Sequence, residues 1–227
     1  MDMGSYLKDI HEIEESARSV QKLMKERYDC GGSSQDPHPI CTIAGADAAY
    51  GEGYGIGVIV LLAYPSLAII EHGYAKRAVR FPYIQGLFAF RELPLIMAAY
   101  EKIGKIPDLL MVEGHGYAHP QRYGYACHAG AILGIPTIGI AKHPIRCDTM
   151  KHPGNERGMQ QEILMGGEVA GMALRTRKGA PPVYVSAGHQ TTLHFACQIV
   201  LETTRLHRLP EPVWIADLLS KKYLNLL

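Results

Sequence analysis

Between Pro107 and Gly114 the chain runs Leu109-Leu110-Met111-Val112 and then delivers Glu113 into the turn Gly114-His115-Gly116-Tyr117-Ala118-His119-Pro120. Four apolar residues penned between a proline and a glycine are too few for a helix, and their unbroken apolar character is that of a strand covered on both faces. Glu113 then sits at the carboxyl end of that strand, the edge where open α/β sheets hold ligands. Gly114 and Gly116 permit close backbone approach and positive φ, which suits a binding loop. The competing reading is an ordinary strand-to-loop transition with an exposed glutamate.

Around this strand the order of elements is legible. Ile10, Ile13, Ala17, Val20, Leu23 and Met24 recur at helical spacing from Ser5 to Tyr28, which predicts an amphipathic opening helix. Cys30 to Pro39 is rich in Gly, Ser, Asp and Pro and reads as a linker. Cys41–Tyr50, Gly55–Tyr64 and Leu67–Val79 are rich in Ile and Val and are parted by short turns, so they predict a three-strand antiparallel meander. Asp47 lies inside the first of these strands, where a carboxylate is costly unless it is paired, hydrogen-bonded or bound to a cation. A helix is expected from Leu87 to Ile103, carrying Glu92 near its start either as a functional acid or as a partner of the helix dipole. After Glu113 come a small-residue helix over Tyr123–Gly134 and an apolar strand over Pro136–Ala141 that ends at Lys142. Strand, helix, strand implies a parallel crossover, so Glu113 and Lys142 should emerge on the same sheet edge. Arg146–Met159 reads as irregular, Gly166–Lys178 and Pro182–Ser186 as a further strand pair, Thr191–Thr204 as a helix, and Leu209-Pro210-Glu211-Pro212 starts a last helix that contains Asp217.

Composition sets the outer bounds. A chain of 227 residues, 47% hydrophobic and 20% charged, is enough for one domain spanning residues 1–227. A net charge of +1 excludes a uniformly basic surface but not a local basic groove. The five cysteines are scattered and form no C-x-x-C pair, so neither a disulfide framework nor a zinc site is expected, and reduced thiols in a cytoplasmic protein are the simplest reading. The amino-terminal stretch lacks the apolar core of a signal peptide, and the apolar run Tyr54–Ile70 is broken by glycines and Pro65, so no membrane association is expected.

Two further stretches invite chemistry. Lys76, Arg77 and Arg80 precede Phe81-Pro82-Tyr83-Ile84-Gln85-Gly86, which either sets an aromatic beside phosphate-binding charge or is a basic edge strand and a core-packed turn. His115, His119 and His189 lack the helical pairing or cysteine company of a zinc motif. Ser186 near His189 lacks the surroundings of a nucleophile elbow.

A meander followed by alternating helices and parallel strands, with acids on the first strand, on a helix and at the fourth strand's end, predicts a ribonuclease H-like α/β fold: one mixed sheet with helices on both faces. Six stretches also resemble the endonuclease V family, the deoxyinosine 3′ endonucleases, in order and separation. They are Ile43-Ala44-Gly45-Ala46-Asp47-Ala48-Ala49-Tyr50, Pro82 through Glu92, Val112 through Pro120, Pro136 through Lys142, Ala187-Gly188-His189 and Leu209-Pro210-Glu211-Pro212.

The resemblance implies a nuclease of DNA repair or RNA processing. It would cut one nucleotide 3′ of a deaminated base, deoxyinosine in DNA or inosine in RNA, with Mg²⁺ as cofactor and Mn²⁺ able to substitute. It implies that Asp47 and Glu113 hold the metal, that Glu92 completes the acidic cluster, that Asp217 is a fourth acid, and that Lys142 sits by the attacked phosphate. Tyr83 would be the wedge that fills the gap left by a flipped base, and Gly86, Gly114 and His119 would line the pocket receiving it. Lys76, Arg77, Arg80 and Arg122, which the resemblance does not single out, are expected from their charge as secondary phosphate contacts, and the protein is expected to be a monomer. Two positions depart from the family: Glu113 stands where Asp is usual, and Gln85 where the wedge usually reads Pro-Tyr-Ile-Pro. One extra methylene moves the carboxylate by about one C–C bond, and a misplacement of about 1 Å costs roughly 100-fold in rate. The alternative expectation is therefore a catalytically weak protein that recognises inosine or branched nucleic acid. A metabolic phosphohydrolase ranks behind both, because it has no use for the wedge stretch.

Overall fold

A computed structural model describes residues 3–28, 30, 39–148 and 152–226. The expected linker after Cys30, and part of the irregular stretch after Arg146, lie outside the described residues. One eight-stranded sheet runs through the molecule in the order β3-β2-β1-β4-β5-β8-β7-β6. β1 (Thr42–Tyr50), β2 (Tyr54–Ala63) and β3 (Ile69–Ala78) form the expected antiparallel meander. β4 (Leu109–Glu113) and β5 (Thr137–Ala141) continue from β1 in parallel. β6 (Gln160–Met165), β7 (Glu168–Leu174) and β8 (Val183–Ala187) close the other side antiparallel. β6 was not expected from the sequence. It is the edge strand, and its Gln160-Gln161-Glu162 start faces outward with no apolar alternation to betray it.

The apolar run of β4 is explained by its two covers. Leu109 and Met111 pack with α4 (Leu193–Glu202) and α5 (Glu211–Leu226), while Leu110 and Val112 pack with α2 (Phe88–Tyr100) and α3 (Tyr125–Leu133). Alternate residues of a strand point to opposite faces, so both sets must be apolar. The same parity puts Asp47 and Glu113 on the α5 face, with Ile43, Leu109 and Met111. Gly45 lets α5 come this close, because a Cβ there would collide with the Pro212 carbonyl.

α1 (Met3–Arg27) forms as expected, but it buries a different face. Ala17 and Gln21 are buried and Ile10, Glu14, Met24 and Tyr28 are partly so, whereas Ile13, Val20 and Leu23 are exposed. The seam against the body follows the 10-14-17-21-24-28 spacing and carries polar residues at its middle. The cysteines also depart from expectation. Cys30 and Cys127 form a disulfide joining the end of α1 to α3, with a Cα–Cα separation of 5.6 Å across 97 residues of sequence. A pair this distant leaves no spacing signal, and cysteine usage therefore gives no argument for a reducing compartment. Cys41, Cys147 and Cys197 are free thiols. Among the described residues no helix is long and apolar enough to cross a membrane.

Candidate active site

Register brings the acids together. Asp108, just before β4, accepts hydrogen bonds from the Cys41 and Thr42 amides and the Thr42 hydroxyl, each 2.9 Å, and so ties the start of β4 to the start of β1. With Ala46 opposite Val112, the next residues in line, Asp47 and Glu113, fall side by side on the α5 face. α5 supplies the third acid, since Asp217 stands above the same strand ends. Oxygens of Asp47, Glu113 and Asp217 all lie within 4.8 Å of one another. Among the described residues no other group of three or more His, Cys, Asp or Glu side chains is placed to hold a metal, so the three loop histidines do not gather as zinc ligands. The carboxylate of Glu113 reaches the cluster despite its departure from the expected Asp.

The cluster is held by hydrogen bonds and opposing charge. Ser220 Oγ donates to Asp47 Oδ2 at 2.7 Å. Lys142 Nζ, at the end of β5, is bonded to Glu113 and, at 2.7 Å, to Asp217 Oδ1, which also pairs through Oδ2 with Lys221 at 2.6 Å. Glu113 and Lys142 thus emerge on the same sheet edge, as the crossover requires. Burial pushes the Asp47 carboxyl up to about 7; the Ser220 hydrogen bond opposes this, and the charges of Glu113 and Asp217 add to it. Glu92 enters from the opposite, α2 side. It is 2% exposed, its Oε2 accepts a 3.3 Å hydrogen bond from the Tyr50 hydroxyl, and Oε1 has no partner. Burial, and then the charge of Asp47, raise its pKa well above the ordinary carboxylate range.

These acids open into a cleft of about 1220 Å³ whose lining includes Asp47, Glu92, Glu113, Lys142, Asp217, Tyr83, Gly86, Gly114 and His119, the residues to which the sequence reading gave catalytic and base-binding parts. The 81–87 loop forms one wall. Arg91 Nη1 donates to the Phe81 carbonyl at 2.7 Å, the Leu87 amide closes a turn onto Ile84, and Gly86 takes φ 83°, a conformation that favours glycine. Tyr83 at its tip is 72% exposed. The Gly114–Gly124 loop forms the facing wall and is docked on β8 by Gly116 N–H to Ser186 Oγ at 2.7 Å and Tyr117 N–H to the Ala187 carbonyl at 2.8 Å. Burial lowers His119 to about 4, helped by the neighbouring His115, so the ring is neutral; its Nδ1 accepts from the Gln121 amide at 3.2 Å.

Lys76, Arg77, Arg80 and Arg122 do not line this cleft; its cations besides Lys142 are Arg18, Arg146 and Lys221. Lys76 instead lies 4.1 Å above the Tyr54 ring, and Arg122 bonds the Met165 carbonyl. Sequence reading missed Arg18, Gln21 and Lys221. Lys221 is four residues past Asp217 on a predicted helix, a spacing that pairs charges and could have disclosed it. Nothing in the sequence marked Gln21.

Fold and site together define a mixed α/β protein that gathers carboxylates from β1, β4 and α5 at the strand ends of a long open cleft. The endonuclease V family model matches residues 22–218. A Roseiflexus sp. endonuclease V is 40% identical over 205 residues, 90% of each chain. The solved endonuclease V of Streptomyces avermitilis superposes with a TM-score of 0.87 at 36% identity, covering 93% of each chain. The Ciona intestinalis endonuclease V, solved with a 24mer DNA containing an inosine followed by a ribo-adenosine, gives a TM-score of 0.81 at 26% identity, covering 95% of this chain and 98% of that one. The chain belongs to the endonuclease V family.

Proposed function

We propose that the protein is a divalent-cation-dependent endonuclease that cuts DNA or RNA one nucleotide 3′ of an inosine. The observation that carries this reading is the meeting, in one cleft, of a three-carboxylate cluster with an exposed aromatic at the tip of a loop anchored at its base. The inosine-containing DNA bound by the Ciona relative supports the choice of base.

The donor set fits a hard cation. Three carboxylates converge, one of them is driven toward protonation by burial and then by its acidic neighbours, and Glu92 Oε1 is buried with no hydrogen-bond partner. Asp47, Glu113 and Asp217 would hold Mg²⁺ or Mn²⁺, with Glu92 behind them. The chemistry such an ion supplies is activation of a water and neutralisation of charge on the leaving oxygen. Lys142, clamped between Glu113 and Asp217, keeps its ammonium protonated at the cleft floor and offers it to the scissile phosphate.

Base recognition uses the two loops. A hypoxanthine pair is weaker than a normal pair, so extruding that nucleotide costs less. Tyr83 is free to fill the vacated stack, and the gap between Gly86 and Gly114, beside the neutral His119, receives the base.

Labelled DNA and RNA strands carrying a single inosine test the reading. With Mg²⁺ each should yield a product ending one nucleotide 3′ of the inosine, and inosine-free strands should yield none. Absence of product with both Mg²⁺ and Mn²⁺ at high enzyme concentration overturns it.

A further inference from the structure

The seam between α1 and the body has a polar residue at its centre. Gln21 is 4% exposed, on a helix that otherwise leaves Val20 and Leu23 in solvent. Its carboxamide nitrogen donates two hydrogen bonds, both 3.0 Å: one to the Gly86 carbonyl at the end of the Tyr83 loop, the other to the Tyr123 carbonyl at the end of the Gly114–Gly124 loop. These acceptors are 65 and 102 residues away in sequence, and they belong to the two facing walls of the cleft. One NH₂ group has two protons to give, and here each goes to a different wall.

Gly86 is also where the walls touch. A Cβ on Gly86 would come within 3.5 Å of His119 Nε2, so the carbonyl that Gln21 holds is carried by the residue packed against the pocket histidine. At the other end of the loop Arg91 grips the Phe81 carbonyl. The loop is thus fixed at both ends, with Tyr83 and Gln85 exposed between them. The amide clamp adds to the Leu87–Ile84 turn and the His119 contact in restraining the carboxyl-terminal half of the loop.

We propose that Gln21 is a positioning residue that sets the width of the base-receiving gap by tying the Tyr83 loop to the Gly114–Gly124 loop. The inference rests on the inosine-directed reading of the cleft and adds to it a helix not otherwise assigned any part in recognition. The hydrogen bonds of the Gln21 carboxamide go to the two loops and to none of the carboxylates. Loosening it should weaken capture of the flipped base and leave the chemical step intact.

The test is Gln21→Met, which keeps length and volume and removes both donors. Wild type and variant are assayed side by side on an inosine-containing strand with Mg²⁺, over a range of substrate concentrations. The inference predicts a KM raised about tenfold or more, with kcat changed less than threefold and an unchanged circular-dichroism spectrum. A merely structural loss would lower kcat and KM-independent activity together as the folded fraction falls. Equal KM for variant and wild type, or a fall confined to kcat, overturns the inference. If Gln21→Met melts below the assay temperature, Gln21→Asn takes its place under the same criteria, since it keeps the amide but draws it back from at least one carbonyl. Failure of the wild type to cut the inosine strand would be a failure of the functional reading, not of the clamp.

Discussion

Ser220 on α5 donates a 2.7 Å hydrogen bond to Asp47 on β1, across 173 residues of sequence. This contact fixes the buried carboxylate and, one turn back along the helix, sets Asp217 over the same strand ends. Asp47→Asn keeps the shape and an oxygen that can accept from Ser220 but removes the charge. Cleavage of an inosine strand should fall by about 100-fold or more, since a metal's charge stabilisation is worth several kcal/mol and each 1.36 kcal/mol is tenfold in rate. The melting temperature should not fall, because the substitution relieves a buried charge. Calorimetry alongside a gel assay checks both halves.

Glu113 decides between an active enzyme and a binding protein. Its carboxylate lies within reach of Asp47 and Asp217 and is bonded to Lys142, so the longer side chain is matched to its present surroundings. Glu113→Asp should therefore lower the cleavage rate, by up to roughly 100-fold for a displacement of about 1 Å. A large gain in rate would instead identify the natural protein as a weak cutter that recognises inosine.

Gly45 carries a stability prediction with a functional consequence. A methyl group there meets the Pro212 carbonyl at the start of α5, and backbone cannot swing aside as a side chain can. Gly45→Ala should cost about 3 kcal/mol of folding stability, the upper end for overpacking. Because α5 carries Asp217 and Ser220, activity should fall even below the melting transition, measured as cleavage per folded molecule.

Tyr83 should behave in the opposite way. It is 72% exposed, so Tyr83→Ala should leave the melting temperature unchanged. Affinity for an inosine-containing strand should weaken by about 1–3 kcal/mol if the ring stacks on bases, as aromatic platforms do. Binding measured with Ca²⁺ in place of Mg²⁺ separates this from the rate.

His128 gives a pH dependence away from the acids. It is buried beside Phe90 and Tyr123, and its Nδ1 has no partner. Burial lowers it from 6.5 to about 4. The folded state thus refuses a proton that the unfolded chain accepts, so this contribution to stability is whole above pH 6.5 and is lost as pH falls from there to about 4. In that window His128→Phe should reduce the slope of unfolding free energy against pH by about 1.4 kcal/mol per unit. Chemical denaturation at several pH values measures it.

Much of this was legible in the chain because it is written in local pattern. The β4 run, the strand-end Glu113 and the meander with Asp47 inside it follow from apolar periodicity and turn residues, and the parallel crossover placed Lys142 beside Glu113. What escaped was set by contacts across long stretches of sequence. The Cys30–Cys127 bond joins residues with no common spacing. α1 turned its 10-14-17-21-24-28 seam inward, since Gln21 gains two carbonyl partners there that its apolar neighbours could not use. β6 is an edge strand whose outward residues are polar, so the period-two signal was missing. The basic residues expected to hold phosphate lie off the cleft, whereas Arg18 and Lys221 reach it from helices whose positions only the packed structure fixes.

Direct measurement of metal binding bears most closely on the claim that acids from β1, β4 and α5 build one ion site. Mn²⁺ titrated into the wild type and followed by electron paramagnetic resonance should saturate a site that Asp47→Asn loses or weakens at least tenfold, the folded fraction being equal. Identical Mn²⁺ binding by the two proteins would contradict the account.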